Sequence, residues 1–449
     1  MRRVLFFILI IYTCLCKLES QEFIGVHTSQ YLPFVNLIYQ PANLTRDTAK
    51  WNFNFLSTNV ALLNSQVFAT GDIWDGLAKV GFEDLKYFLA SEESLLYVKG
   101  RLIAPSLTFK LNDRHSFALS TSVRADGVYS SSNDDFLKIF SGISQPDALK
   151  DINDEYFKSL VNSWVEYSLS WSTTILRDEN NWLTGGANLK ILNGAGSGYL
   201  EMDGVDVMFD DESISHFDMQ FSYGFNESLS KTIDGGDIIE QSGNMGIGLD
   251  LGLEYAYLPD YLIGVDGAPY KYKIGFVISD IGHINHPDTK NQASYNVSME
   301  NVPYSRFKGI QTIEALKDSI EKSIDFEENK GGSFRTKLPL SMVFNFDYCI
   351  TPGWFVNGSV MHRPNYYTAT VNILNKGIWR YTITPRYEKQ KWGAYLPFDH
   401  NSVLGWNIGI AGRYRQFFLG SSTFVGNLFG IGRGQMLVYF GVSVPIGSL

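Results

Sequence analysis

The sequence has little cysteine, no excess of basic charge, and no long apolar run beyond its N-terminus. Of its three cysteines, Cys14 and Cys16 lie near the start, so Cys349 has no possible disulfide partner in the rest of the chain. A disulfide framework is therefore excluded for residues 21–449. The formal net charge of −10 argues against nucleic-acid binding, which depends on clustered lysine and arginine.

Beyond residue 20, no apolar stretch reaches the roughly 18 residues that a membrane-spanning helix needs. Aromatic residues, in contrast, are abundant at 14%, with 25 tyrosines and 31 phenylalanines. Aromatic girdles at both membrane interfaces are typical of outer-membrane barrels. If the mature chain crosses a membrane it does so with strands, because only helices and closed barrels satisfy every backbone polar group in lipid.

Residues 1–20 have the layout of a secretory signal peptide. Arg2 and Arg3 give a basic start, the run from Val4 to Ile11 is apolar, and polar residues follow from Lys17. Such a peptide would direct export of the protein, and we expect its cleavage after Ser20. Residues 21–449 are then predicted to form a single outer-membrane β-barrel.

Alternation of apolar and polar residues predicts many strands of about ten residues. From Met245 to Tyr257 every second residue is apolar or tyrosine, and the residues between them are small or acidic. Successive strand side chains point to opposite faces, so one row would face lipid and the other the lumen. The fold class is therefore all-β: a transmembrane antiparallel β-barrel of about 14 strands with helical loop insertions. Further strands are predicted near 51–62, 94–111, 114–124, 165–175, 181–192, 214–224, 270–279, 332–348, 353–363, 376–387, 390–398, 403–414, 416–424 and 436–446.

Two insertions interrupt this pattern, near 127–163 and 300–330. In the first, a helix is predicted from Pro146 through Leu160, since proline suits a first helical turn. In the second, apolar residues at spacings of three and four predict an amphipathic helix over 306–325. Such helices would either cap one end of the barrel or plug it, and the spacing favours neither.

We find no catalytic, cofactor-binding or metal-binding constellation, and predict that the protein is not an enzyme and needs no cofactor. Gly194–Gly198 lacks the spacing of a nucleophile elbow and is interpreted as a turn between strands. His283 and His286 are two ligands at most, whereas a zinc site needs three or four. A run of acidic residues lacks the spacing of a calcium loop and is interpreted as a solvated loop. Its members are Asp203, Asp206, Asp210, Asp211 and Glu212.

Charged residues within the predicted strands are the remaining candidates for a functional site. By alternation, five of them would face the lumen. They would either line a polar passage or form a buried ion network that closes the barrel. The five are Glu166, Asp250, Glu254, Lys271 and Lys273.

Several stretches in a fixed order resemble a family of uncharacterised outer-membrane barrels from Bacteroidota. The resemblance implies a barrel of about 14 strands, similar to fatty-acid-transporter-like barrels and to the shuttle barrel of the type IX secretion system. It supplies no catalytic residues. The stretches are Tyr39–Asn43, Trp51–Phe55, Leu107–Arg124, Leu249–Pro259, Leu338–Asn357, Thr384–Glu388 and Arg413–Ser421.

Two functions follow from these expectations. The first is a structural or adaptor subunit of an envelope protein complex, of the secretion or barrel-assembly type. The alternative is a passive transporter or channel for small solutes, hydrophobic ones among them. The expected partners are outer-membrane lipid and other envelope proteins. Nucleic acid is not expected as a partner, and whether there is a small-molecule substrate stays open.

Overall fold

The computed structural model describes residues 23–46, 49–64, 94–132, 151–210, 213–226, 243–289, 291–303, 332–364, 378–431 and 435–448. Strands make up most of these residues. They are β1 (Ala49–Asn64), β2 (Ser94–Ile103), β3 (Ser106–Lys110), β4 (His115–Ser131), β5 (Ile152–Arg177), β6 (Asn181–Asp210), β7 (Ser213–Phe225), β8 (Met245–Tyr257), β9 (Tyr272–Thr289), β10 (Asn291–Pro303), β11 (Gly332–Lys337), β12 (Ser341–Thr351), β13 (Trp354–Arg363), β14 (Ile378–Glu388), β15 (Trp392–Tyr395), β16 (Phe398–Asn401), β17 (Gly405–Ile408), β18 (Ile410–Tyr414), β19 (Phe417–Ser421) and β20 (Gln435–Ser448).

Helical structure is sparse in the same ranges. The α-helices are α1 (Pro33–Tyr39) and α2 (Phe424–Leu428), and three 3₁₀ turns cover Val26–Thr28, Pro41–Arg46 and Asp260–Leu262. Among the described residues, no helix is long and apolar enough to cross a membrane.

The strand segments form one closed antiparallel sheet of 14 barrel strands, because β1 pairs with the last segment β20. Six barrel strands each consist of two consecutive segments, namely β2 with β3, β7 with β8, β9 with β10, β11 with β12, β15 with β16, and β17 with β18. Closure leaves no edge along the ring, so every wall strand has partners on both sides. The predicted fold class is confirmed.

The two rims of the barrel differ in their connections. At one rim, termed the turn rim, strands are joined by short segments at 111–114, 178–180, 352–353, 389–391 and 415–416. At the other, termed the loop rim, the connections include the long stretches 65–93, 132–151, 304–331 and 364–377. This asymmetry is typical of outer-membrane barrels, whose short turns face the periplasm.

Strands β5, β6, β7 and β10 continue beyond the wall at the loop rim. The 30-residue β6 pairs with β8 along its first part and with β7 along its second, and β10 pairs with β7. One face of this extension is apolar and buried, and includes Phe217, Phe221 and Tyr295. The extension therefore has an apolar core of its own.

The outer wall is apolar, as a lipid-facing surface requires. In β8 the predicted alternation is confirmed: Leu251 and Leu253 are exposed on the outside, and Asp250 and Glu254 are buried on the lumen side. Aromatic rings gather near the turn rim, where Trp51 lies 5.4 Å from Phe109 between ring centres. Similar ring pairs are Phe109–Phe117, Tyr257–Tyr272, Trp354–Tyr387 and Tyr387–Trp392.

Two local predictions are wrong. The helix expected up to Leu160 is instead strand from Ile152 onward, because that segment pairs with both β4 and β6. Sheet pairing on both sides outweighs a helical spacing of apolar residues. The stretch Gly194–Gly198 is not a turn but the middle of β6. The leader 1–20, Pro146 and the amphipathic segment 306–325 lie outside the described residues.

The glycines in this part of β6 allow close packing. A Cβ at Gly194 would lie 3.0 Å from side-chain carbons of both Asn244 and Ile284. A register shift opposite Ser163 and Trp164 accompanies them, where β6 changes partner from β8 to β7. Small residues therefore allow β6 to change its pairing partner at this point, and the chain does not reverse here.

Candidate functional site: a plugged lumen with a seam in its wall

Residues 23–46, termed the plug, lie inside the barrel. Their apolar side chains, including Phe34 and Leu37, are almost completely buried. They pack against lumen-facing residues of the wall, which are Ala61, Ile103, Ala118, Tyr395, Ala411, Phe418, Leu437 and Tyr439. The apolar interior of the barrel is therefore formed jointly by plug and wall.

His27 is part of this apolar core. Its ring stacks on Tyr39 at 4.1 Å between centroids, and its Nδ1 lies 3.3 Å from the Phe23 carbonyl oxygen. Burial lowers the pKa of His27 to about 3, so the imidazole is neutral at physiological pH. The hydroxyl of Tyr439 also donates a hydrogen bond to the Ile24 carbonyl, which joins the wall to the plug backbone.

The carboxyl end of the plug is fixed by polar contacts to strands β6, β8 and β9. Gln40 Nε2 donates hydrogen bonds to the carbonyl oxygens of Leu253 at 3.2 Å and Phe276 at 3.4 Å. Glycines make room for it: a Cβ at Gly252 would overlap Gln40 Oε1, and one at Gly275 would lie 2.8 Å from Nε2. The wall is therefore shaped to accept this side chain.

Arg46 ends the plug with a second attachment. Its Nε lies 3.2 Å from Glu254 Oε1, and its Nη2 donates to the Trp182 carbonyl oxygen at 3.0 Å. The guanidinium carbon lies 5.0 Å from the centre of the Trp182 ring. Lys273 Nζ, at 3.4 Å, is the second cation beside Glu254. The predicted inward charges Glu254 and Lys273 therefore hold the plug.

An ion cluster crosses the lumen between strands that are not neighbours. Arg124 Nη1 and Nη2 donate to the two carboxylate oxygens of Asp280 at 2.8 and 2.9 Å. Arg124 also lies 3.2 Å from Glu166, which Arg101 contacts at 2.8 Å. Lys190 Nζ lies 2.7 Å from both Asp250 and Asp280. The sequence left open a polar passage or an ion network for these charges, and the structure shows a network.

A second cluster lies near the turn rim. Arg386 makes a two-pronged contact with Asp347 at 2.8 and 2.9 Å, and its Nε donates to Glu388 at 3.1 Å. The hydroxyls of Tyr270 and Tyr395 donate to Asp347 and Glu388. Every one of these groups is buried, so this cluster rigidly joins three wall strands, β12, β14 and β15, and the connection that precedes β9.

The prediction that Lys271 faces the lumen is wrong. Its Nζ donates to the Cys349 carbonyl oxygen and lies 4.5 Å from the ring centre of Tyr348, which is exposed on the outer wall. The alternation changes phase here because β9 begins only at Tyr272, so Tyr270 and Lys271 belong to the preceding connection. Tyr270 occupies the lumen side instead.

The other sequence candidates do not form a site. His286 stacks on Phe334 and contacts Thr336 Oγ1, whereas His283 lies three residues away on the same strand β9 and so on the opposite face. The acidic residues Asp203 and Asp206 lie in β6 rather than in a loop. Within the ranges that the structure describes, no group of three or more histidine, cysteine or carboxylate side chains is arranged to hold a metal ion.

The wall has an interruption between β2 and β3. Ile103 ends one segment and Ser106 begins the next, and Pro105 between them has no N–H to donate. The pairing with β4 slips by one residue across this break, from Ile103 opposite Ser122 to Leu107 opposite Leu119. This interruption is termed the seam.

The seam lies between an outer groove and an inner cavity. The groove, on the lipid-facing side, encloses about 410 Å³ and is lined mainly by apolar side chains such as Leu169 and Ile191. The cavity, of about 10 Å³, lies against plug residues Phe34 and Leu37 and has room for about one water molecule. Ser120 lines both spaces, so the groove and cavity are separated only by the wall at the seam.

Sequence reasoning did not identify the plug, the seam or Asp280. The seam carried a signal, since Pro105 interrupts the predicted strand 94–111 and proline removes a donor from a ladder. The sequence of the plug contains no comparable signal, because a short apolar segment does not reveal which surface it will pack against. Asp280 has φ 61°, a left-handed backbone that only the fold defines.

Comparison with solved structures finds barrels of similar extent. A mutant of TodX, a monoaromatic hydrocarbon channel, shares 10% identity with a TM-score of 0.47, covering 92% of this chain and 94% of that one. The Ralstonia pickettii toluene transporter TbuX shares 10% identity with a TM-score of 0.43, with coverages of 91% and 92%. A Pseudomonas aeruginosa FadL homologue has the same identity and TM-score, with coverages of 91% and 93%.

None of the curated proteins with which the sequence was compared matches it. A family defined as a family of unknown function, DUF5723, matches residues 41–422. That range begins within the plug and runs through β1 to β19, so it covers nearly all of the barrel. The chain belongs to the DUF5723 family of unknown function.

Proposed function

We propose that this protein is a passive conduit of the outer membrane for small apolar solutes, which pass between the lumen and the lipid through the seam. The observation that carries this proposal is Ser120, which lines both the outer groove and the inner cavity. A solute in the lumen beside the plug is therefore separated from lipid by one interrupted stretch of wall.

The seam is the place where that stretch of wall opens at least cost. An intact ladder would lose a series of backbone hydrogen bonds, and each unpaired group in an apolar medium is expensive. At the seam Pro105 has no N–H, and Ala104 N already donates to Thr121 O as a single bond beside the break. Ser106 Oγ satisfies the Ala104 carbonyl locally. Fewer bonds must therefore be broken here than in an uninterrupted stretch of wall.

The groove defines the class of solute. Its lining contains no charged side chain and consists largely of leucine, isoleucine, phenylalanine and tyrosine. A volume of about 410 Å³ is within the range of small-molecule sites. Apolar molecules gain by leaving water for such a surface, and from it they reach the lipid directly.

The plug provides control of this path. It closes the lumen beside the inner cavity and is held by few polar anchors, of which Gln40 and Arg46 are the main ones. Movement of the plug would enlarge the cavity of about 10 Å³ next to the seam. We expect the closed arrangement to be the resting state and the plug to shift when solute enters from the loop rim.

The adaptor function expected first from the sequence is not carried forward, since no feature of the described residues favours it. Uptake measurements separate the two functions. Cells that export the protein to their outer membrane are given radiolabelled decane or radiolabelled glucose. We expect uptake of decane to exceed that of cells without the protein, and uptake of glucose to be unchanged.

A seam variant makes the test specific. Pro105→Val restores a backbone donor and a residue suited to strands, so it should close the ladder and reduce decane uptake several-fold. Pro385→Val, in β14 and away from the seam, is the matched control and should leave uptake unchanged. Equal decane uptake with and without the protein, together with copurification of a stable envelope partner, would instead support an adaptor.

A further inference from the structure

Four buried residues on β4 and β5 form a compact polar patch on the lumen wall. Arg124 is paired across the two strands with Trp164, and Asp126 with Asn162. All four are no more than 2% exposed. Directly opposed side chains have Cβ atoms about 5 Å apart, so the four, termed the quartet, face one small volume.

The quartet contains six polar atoms that lack hydrogen-bond partners among the residues that the structure describes. The donors are Arg124 Nε, Asn162 Nδ2 and Trp164 Nε1, and the acceptors are both Asp126 carboxylate oxygens and Asn162 Oδ1. Buried polar atoms are nearly always paired, because an unpaired one costs the desolvation energy of the group. Six on adjoining residues indicate a site that hydrogen-bonds to a bound molecule.

The charges of the quartet are already balanced by its surroundings. The Arg124 guanidinium is paired with Asp280 and Glu166 through its terminal nitrogens. Asp126 is paired in register with Lys99 on β2, whose positive charge attracts it. A charged ligand would upset this balance, whereas a neutral group that both donates and accepts hydrogen bonds can pair with atoms from both sets.

The quartet also lies on the path of the proposed conduit. Along β4 the lumen side presents Ser120 at the seam, then Ser122 at the inner cavity, then Arg124 and Asp126 towards the loop rim. A solute that enters from the loop rim and leaves at the seam therefore passes the quartet first. We propose that the quartet binds the neutral polar head, a hydroxyl or an amide, of a solute whose body is apolar; this inference rests on the proposed function.

The experiment places a marked ligand in the lumen. The full-length protein is crystallised with ω-bromo-octanol, and separately with bromo-octane, which has the same chain and no hydroxyl. The bromine atom is located by its anomalous signal. We expect the alcohol to bind with its oxygen in hydrogen-bond contact with Asp126 and Trp164, and we expect bromo-octane to give no ordered position beside the quartet.

Variants test the hydrogen bonds one at a time. Trp164→Phe removes the indole N–H and keeps an aromatic ring beside Arg124, and Asn162→Leu removes both amide atoms. Each should weaken bromo-octanol binding by roughly three- to tenfold, measured from ligand-dependent thermal stabilisation. Trp171→Phe makes the same change on the outer face of β5 and should leave the affinity unchanged.

The inference is overturned if the quartet holds only ordered water at saturating bromo-octanol, or if alcohol and bromo-octane bind with equal affinity in all variants. Its failure can be told apart from failure of the conduit. Decane uptake that depends on the seam, without occupancy of the quartet, would reject only the head-group site. Occupancy of the quartet without any uptake would reject the conduit and leave the site.

Discussion

Arg46 Nε lies 3.2 Å from Glu254 Oε1, so the last residue of the plug is bound to wall strand β8. The contact is buried on both sides, with exposures of 11% and 3%. Removing one partner of a buried ion pair leaves the other without compensation, which is costly. This pair is therefore one of the polar anchors of the plug, and its loss should loosen the plug.

We predict that Arg46→Met makes the free energy of plug docking less favourable by about 2 kcal/mol. The cost is moderate because Lys273 still compensates the charge of Glu254 in part. A cysteine placed at the buried Ala42 should then react with a water-soluble maleimide roughly thirtyfold faster than in the parent protein. Arg335→Met, an exposed arginine bonded to Asn285, is the control and should not change the rate. An unchanged rate in Arg46→Met would mean that apolar packing alone holds the plug.

The second prediction concerns Arg124 and Asp280, which join β4 to β9 across the lumen. Asp280→Asn keeps a residue that tolerates the left-handed backbone but removes the charge that pairs with Arg124 and Lys190. We expect a loss of about 3–5 kcal/mol, because buried cations lose their counter-ion. The measurement is the urea midpoint of barrel unfolding in lipid vesicles.

Asp203→Asn provides the comparison, since Asp203 pairs with Lys158 in the extension and is 48% exposed. Exposed pairs contribute about 0–1 kcal/mol, so its midpoint should barely move. Equal effects of the two substitutions would contradict a structural role for the ion cluster.

The fold was largely predictable from the sequence because barrel strands depend on a local pattern. In β8 and β20, residues alternate between the lipid-facing and the lumen-facing side. The alternation of apolar and polar residues in the sequence therefore reveals the strand. The prediction was wrong where another effect outweighs the pattern. Residues 152–160 have helical spacing but pair with β6, and from Phe157 onward with β4 as well. Lys271 lies just before the first residue of β9, where the alternation of β9 begins.

The candidate site was less predictable, because its members are far apart in sequence. Glu166 and Asp250 could be assigned to the lumen by alternation, but their partners could not be. Arg124 and Asp280 are 156 residues apart, and their contact depends on barrel closure and on the bulge at Asp280. No periodicity in the plug predicts that it turns back into the lumen.

His27 leads to a prediction about pH. Its pKa is lowered by burial to about 3 in the folded protein, while the unfolded chain titrates near the ordinary value of 6.5. Between these values the unfolded state binds the additional proton, so the plug becomes less stable as pH falls from about 6.5 towards 3, by about 1.4 kcal/mol per pH unit. Arg386, Asp347 and Lys273 are the charged groups that act on this imidazole.

The measurement is maleimide labelling of a cysteine at Ala42 as a function of pH, corrected for thiolate reactivity with an unfolded peptide. We expect plug exposure to increase from pH 6.5 to pH 4.5 in the parent protein. His27→Phe keeps the ring that stacks on Tyr39 and removes the titrating group, so this pH dependence should be reduced. The same pH dependence in both proteins would assign it to other groups.

The last prediction concerns the space that the wall provides for Gln40. A Cβ at Gly252 would overlap Gln40 Oε1, so Gly252→Ala should displace this side chain and break its hydrogen bonds to Leu253 and Phe276. We expect the free energy of plug docking to become less favourable by about 1–3 kcal/mol. The measurement is the rate at which maleimide labels a cysteine at Ala42, which should increase. Gly358→Ala in β13 is the matched control, since its added Cβ meets nothing within 4 Å. Combining Gly252→Ala with Gln40→Ala should add little to the effect of Gln40→Ala alone, because the overlap with Gln40 is then gone and only the tight contact with Pro41 Cδ at 3.1 Å remains. Fully additive effects would show that the added methyl group acts through Pro41 or the wall and not through Gln40.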